Sequence, residues 1–314
     1  MPGLTAVPGI RVGHATDPDA RTGCTVILGP FRAACDVRGL ATGTRELEAI
    51  SPLHLVTRAD ALLLTGGSAF GLEAAAGVMR WLEERGAGFD AGVARVPIVP
   101  AAVIFDLAVG RADRRPDASM GMAACDAASD GEIAEGLVGA GTGATVGKLR
   151  GLEGAMPGGL GTWAVEGPDF VVGALAVVNA FGDVLDRHGQ ILAGARDEAG
   201  NFLNTARALC EGVLVPEFGR LARPPVPGTQ TTLAVVATDA PLSRTALQSL
   251  ARSAATAVAR RISPAHTPFD GDVTFALSTA HEGRDLSPGM LLTLGALAVQ
   301  ALEHAIERAV TVRS

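Results

Sequence analysis

Two periods of apolar and polar residues run along this chain. Short β-branched runs bounded by glycine predict strands over residues 24–28, 61–64, 96–98, 171–179, 231–238 and 273–279. Apolar positions three and four apart predict helices over 243–262 and 288–310, with Ser243 and Ser287 as caps and Pro288 in a first turn that tolerates it. An Ala-rich stretch predicts a further helix over 68–86, capped by Ser68 and stopped at Gly86. The chain ends strand, helix, strand, helix, but strands are not strictly followed by helices elsewhere. That order suits one layered α/β sandwich better than a doubly wound sheet. Residues 191–227 read as an exposed, partly extended connector. Prolines 224, 225 and 227 exclude helix there, and the connector runs directly onto the strand that starts at Thr231.

Composition narrows the class. The chain has 314 residues, 48% of them apolar and 4% aromatic, with 40 Gly, 18 Pro and no Tyr. Disorder is excluded by the apolar fraction, and collagen by the lack of a three-residue glycine period. The core must be Ala, Val and Leu, which lets backbone layers approach closely. A net charge of −7, a pI near 5.4 and the absence of any basic run exclude a nucleic-acid partner. Four cysteines, Cys24, Cys35, Cys125 and Cys210, form no close pair and are expected reduced and buried. The longest apolar stretch, 170–181, is interrupted and falls short of the ~20 residues of a membrane span. With no basic, apolar leader at the start, the expectation is a cytoplasmic protein with no membrane partner. Six histidines lack ligand spacing, so neither a metal nor a cofactor is expected.

Two motifs invite chemistry. The run 139–151 is glycine-rich but fails as a phosphate loop, with Thr142 where the first glycine belongs and Leu149 where a hydroxyl belongs. Amides of Gly141, Thr142 and Gly143 remain candidates to face a ligand or an oxyanion. The segment 65–72, TGGSAFGL, approaches a nucleophile elbow, but Phe70 stands where a glycine is required. A Ser68–His–Asp hydrolase is therefore the second mechanism, behind Ser68 as a helix cap. Thr231 sits where the Pro-rich connector meets a buried strand, a pattern that strand propensity alone also explains.

The ordered blocks GIRVGHATD (9–17), TGCTV (22–26), LTGGSAFGL (64–72), VPIVPAAVIFD (96–106), VGAGTGATVGK (138–148), VGALAVVNAFGDV (172–184), TTLAVVATDAPLSR (231–244) and DGDVTFALST (270–279) resemble the L-aminopeptidase/D-esterase (DmpA-type) and β-aminopeptidase family over nearly the whole chain. The resemblance implies a four-layer αββα sandwich of the DmpA and ornithine acetyltransferase type. It implies self-cleavage between Gln230 and Thr231 into residues 1–230 and 231–314 of a single domain, and a homo-oligomer. It makes Thr231 the nucleophile, Asn179 the oxyanion-stabilising residue, and Asp272 an acidic neighbour. Asp270 stands where DmpA-type members have serine, and Gln230 where Asn or Gly is usual. A tyrosine of those members lines up near Gly147, and this chain has none.

The chemistry is coherent. A β-hydroxyl reaches its own preceding carbonyl through a five-membered ring, and the resulting ester hydrolyses to free the α-amine. An α-amine titrates at roughly 7.7–8.0, so it can act as base for its own hydroxyl. Asp270 and Asp272 can hold that ammonium or a substrate amine. The expected activity removes N-terminal residues, β-amino acids included, from short peptides, amides or esters. An acyltransferase of the ornithine acetyltransferase type and an unprocessed, non-catalytic binding protein are the alternatives.

Overall fold

In a computed structural model, the structure describes residues 3–213 and 230–312. β1 (Arg11–Asp17) pairs antiparallel with β2 (Thr22–Val37), and β3 (Ala59–Thr65) lies on the other side of β2. α1 (Ala74–Glu83), β4 (Ala101–Val103) and α2 (Ala118–Asp126) follow. β5 (Gly159–Glu166) and β6 (Val171–Asn179) form a hairpin, and α3 (Thr205–Cys210) precedes β7 (Thr231–Thr238). The chain ends with α4 (Arg244–Ala254), α5 (Thr256–Arg261), β8 (Val273–Ser278) and α6 (Pro288–Thr311). Strand order is β5-β6-β7-β8-β2-β3-β4, closed at the far edge by the short strand Thr44–Arg45. β7 runs parallel to β8, and β3 parallel to β4.

The long β2 connects two packed sheets. Its first half pairs with β1 and β3, and its second half, Arg32 to Val37, pairs with β8. Side chains alternate accordingly. In β6, Ala174, Ala176 and Val178 face α4, α5 and α6, while Leu175 and Val177 face the other sheet. In β3, Leu62 and Leu64 join that inter-sheet core, while Ala61 and Leu63 pack under α1 and α2. Three apolar interfaces therefore separate four layers, α-β-β-α, the sandwich expected from the sequence. Alanine and valine supply most of the first interface, so helix and sheet approach closely, as the ring-poor composition demands.

Several elements differ from expectation. Residues 96–98 are not one strand: Arg95–Val96 ends a hairpin and β4 starts at Ala101. Ser68 does not cap a helix. The N-cap of the 3-10 turn Ser68–Glu73 is Gly67, no side chain caps it, and Ser68 itself has φ 52°. Part of the expected connector is ordered, because Asp183 is buried and accepts from Ala195 N, Thr205 N and Thr205 Oγ1. The prolines 224, 225 and 227 lie outside the described residues. Cys210 is exposed and Cys35 half-buried, while Cys24 and Cys125 are buried. Burial pushes both of those thiols up to about 12. Helix α6 has the length and apolarity of a membrane span, yet its Leu294, Ala298, Leu302 and Ala305 face is buried on the sheet.

Candidate active site

The strand register assembles the site. In the antiparallel ladder of β6 and β7, Asn179 stands directly opposite Thr231. Leu175 and Val177 point between the sheets, as do Leu233 and Val235, so the two-residue period puts Asn179, the last residue of β6, and Thr231, the first of β7, on that same face. Both are buried.

Gln230 and Thr231 carry the closest contacts. The Thr231 hydroxyl donates to the Gln230 carbonyl at 2.5 Å, and that carbonyl also accepts from Gly271 N at 2.9 Å. A Cβ on Gly271 would lie 2.7 Å from Thr231 Oγ1, so the missing side chain is the space in which the hydroxyl sits. The Asp270–Asp272 turn is fixed from outside by Ala41 N and Arg38 N, which donate to the carbonyls of Asp270 and Asp272.

Asn179 is anchored at both ends of its amide. Oδ1 accepts from Lys148 Nζ at 2.8 Å and Thr145 N at 3.0 Å, and Nδ2 donates to the Phe105 carbonyl at 3.2 Å. Lys148 Nζ also donates to the Asn179 carbonyl at 2.9 Å. Complete burial lowers the Lys148 ammonium to about 7, against a smaller opposing pull from the Asp270 charge. Burial raises Asp270 to about 6, with the Asp272 charge adding to it. Asp270 Oδ2 accepts from Thr267 N and Thr267 Oγ1. Asp272 turns elsewhere: Oδ1 accepts from Thr232 N at 2.6 Å, and Oδ2 from the ring and backbone of His266.

The other sequence candidates fall apart from this cluster. Gly141 N and Thr142 N donate within their own turn, to Val138 and Gly139 carbonyls, and the Thr142 hydroxyl also bonds Gly139. Gly143 packs on Asp106 and the Arg21 carbonyl. The amide that this turn sends to the site is Thr145 N, which orients Asn179. No hydrogen bond joins the Ser68 hydroxyl to a histidine among the described residues. Its turn packs instead on buried Asp106, which accepts from Thr22 Oγ1 and Gly67 N. Position 147 admits no side chain at all: φ is 70°, and a Cβ would meet Ala195 N at 2.0 Å. A tyrosine there is sterically excluded.

Lys148, Gly271 and His266 escaped the motif search. For Lys148 a signal was available. It is the single lysine of the chain, whose other cations are all arginine. Arginine keeps its proton in proteins, whereas a buried lysine can release it.

A family model for peptidase family S58 matches residues 3–313. The chain belongs to peptidase family S58. A Mycobacterium bovis protein described as an uncharacterized aminopeptidase is 46% identical over 298 residues, 89% of this chain and 82% of its own length. A 6-aminohexanoate-oligomer endohydrolase of Kocuria sp. strain KY2 is 32% identical over 297 residues, 94% of this chain and 79% of its own. Among solved structures, an L-aminopeptidase D-Ala-esterase/amidase from Ochrobactrum anthropi superposes with TM-score 0.70 at 21% identity, covering 98% of this chain and 85% of that one. A Burkholderia sp. β-aminopeptidase gives 0.69 at 23%, covering 98% and 86%. These two share the S58 chain's mixed α/β sandwich.

Proposed function

We propose that this S58 chain is a self-processing aminopeptidase with Thr231 as nucleophile. The observation that carries the reading is the Gln230 carbonyl, held between the Thr231 hydroxyl and Gly271 N–H, opposite Asn179. Oγ1 of Thr231 attacks the Gln230 carbonyl carbon and gives up its proton. The tetrahedral centre collapses with cleavage of the C–N bond, the nitrogen gains a proton, and Gln230 is left as an ester on Oγ1. Water then hydrolyses the ester. The products are residues 1–230 with a new carboxylate and residues 231–314 with a free Thr231 α-amine. Gly271 N–H is placed to take the negative charge on the carbonyl oxygen; one such donor is worth ~2.7–4 kcal/mol.

The first attack needs a base other than the α-amine, which is still tied up in the peptide bond. Lys148, lowered to about 7 and bonded to the Asn179 side chain, exchanges a proton near neutral pH. After the cut, the α-amine takes that role. The ester formed in processing and the acyl-enzyme formed from substrate are the same chemical species, an acyl group on Thr231 Oγ1 beside a free amine. Gly271 N–H and the Asn179 amide therefore serve both hydrolyses. Asp270 supplies the carboxylate for a substrate ammonium.

Substrates in this reading are short peptides, amino acid amides and esters, with β-amino acids included. Incubation with aminoacyl-p-nitroanilides, together with intact-mass measurement, tests it: two fragments and released nitroaniline support it, and an uncut, inactive chain removes it. The Kocuria relative supports a second reading, internal cleavage of ω-amino acid oligomers. Chromatography of 6-aminohexanoate oligomers separates the two, because an aminopeptidase releases monomer from the first time point. Exchange between acetylornithine and an acceptor amine would point instead to acyl transfer. The reading includes a cytoplasmic homo-oligomer, which fractionation and light scattering test.

A further inference from the structure

We propose that His266 is a positioning residue, whose imidazole holds Asp272 and, through Asp272, the backbone next to the nucleophile. The inference rests on the reading of Thr231 just given. His266 lies in the loop between α5 and β8, with Nδ1 2.8 Å and its own amide 3.2 Å from Asp272 Oδ2. The other carboxylate oxygen accepts from Thr232 N at 2.6 Å. Thr232 is opposite Val178 in the ladder that sets Thr231 opposite Asn179, so the chain of contacts from His266 ends at the alignment of nucleophile and oxyanion residue.

Two features show that the ring is not an incidental loop residue. His266 adopts φ 55°, a left-handed conformation that is strained for histidine. A carboxylate only accepts, so Nδ1 carries the donated proton and the other ring nitrogen, Nε2, makes no use of this carboxylate. That Nε2 is buried without a hydrogen-bond partner among the described residues. A backbone strain and an unsatisfied ring nitrogen are both tolerated, and what the ring gains is Asp272. Asp272 itself, occupied by two backbone amides and an imidazole, thereby acts as a fixed brace on Thr232.

Replacement by glycine separates the side chain from the turn, because glycine adopts φ 55° without strain. His266→Gly is expected to fold, to lower kcat on an aminoacyl-p-nitroanilide about 10- to 100-fold, to leave KM within about twofold, and to slow self-cleavage. His266→Asn keeps a short donor and a residue tolerant of left-handed backbone, and is expected to recover most of the loss. Wild-type kcat and cleavage rate in His266→Gly would overturn the proposal, as would a loss carried by KM alone or an Asn variant no better than Gly. If His266→Gly fails to fold, a cycle of His266→Ala, which removes the ring donor, and Asp272→Asn decides: losses in kcat must be non-additive, and additive losses refute the link. An active wild type with an equally active His266→Gly sinks only this role, whereas an uncut, inactive wild type sinks the nucleophile assignment beneath it.

Discussion

Asn179 and Thr231 face each other across adjacent antiparallel strands, one on each side of the proposed cut. Strand pairing thus does the work of alignment. Thr231→Ala is expected to leave a single 31.8 kDa chain with no hydrolysis, and Thr231→Ser to retain both cutting and turnover. Denaturing gels and a nitroanilide assay check this, and turnover by the alanine variant would return Ser68 to consideration.

Because Lys148 is the single lysine, it can be observed in isolation. Protein made with carbon-13-labelled lysine is expected to give one side-chain resonance, titrating near 7 in the folded state and near 10.5 in urea. A folded midpoint above about 9 would remove Lys148 as the base of the first attack.

The same group makes stability depend on pH. Lys148 is depressed from 10.5 to about 7, so the unfolded chain binds the proton that the folded chain lacks. The associated stability is present above 10.5 and is lost as pH falls through the folded value. Asp270 is raised from 3.8 to about 6, and its contribution runs the other way. It is fully present below 3.8 and lost as pH rises through about 6. In the uncut Thr231→Ala background, denaturation midpoints should therefore rise with pH between about 7 and 10.5. Lys148→Met should flatten that slope, and in a chain able to cut it should slow cleavage at least about 100-fold.

Gly271→Ala places a methyl group 2.7 Å from Thr231 Oγ1 and 2.8 Å from the Ala41 carbonyl. The hydroxyl must move off the Gln230 carbonyl, and cleavage should slow by at least about tenfold while the fold persists. Intact mass against time checks it.

Gly147 is closed to substitution. Alanine there forces positive φ on a side-chain-bearing residue and drives Cβ into the Ala195 amide. The expected loss is more than about 2 kcal/mol in a denaturant titration, so no aromatic residue can be restored at this position.

Much of this was readable before any coordinates. β6 and β7 run over the residues that periodicity assigns, and Ser243 and Ser287 cap their helices through Ala246 N and Met290 N. Those signals are local, set by side-chain period and a hydroxyl beside a first turn. What escaped depends on contacts far apart in sequence. The Gly141 and Thr142 amides are taken by the Val138 and Gly139 carbonyls of their own turn. Asp272 also accepts from Thr232 N and the His266 ring, partners that no local motif announces. The role of Lys148 depends on its burial against Asn179, which a lysine in a glycine-rich run does not announce.

The strand order has one further consequence. β7 and β8, C-terminal to the proposed cut, lie between β6 and β2, both N-terminal to it. The smaller fragment is the keystone of the larger one's sheet. The proposed scission would therefore follow assembly of the sheet and leave two interlocked pieces, like a door cut into a finished wall.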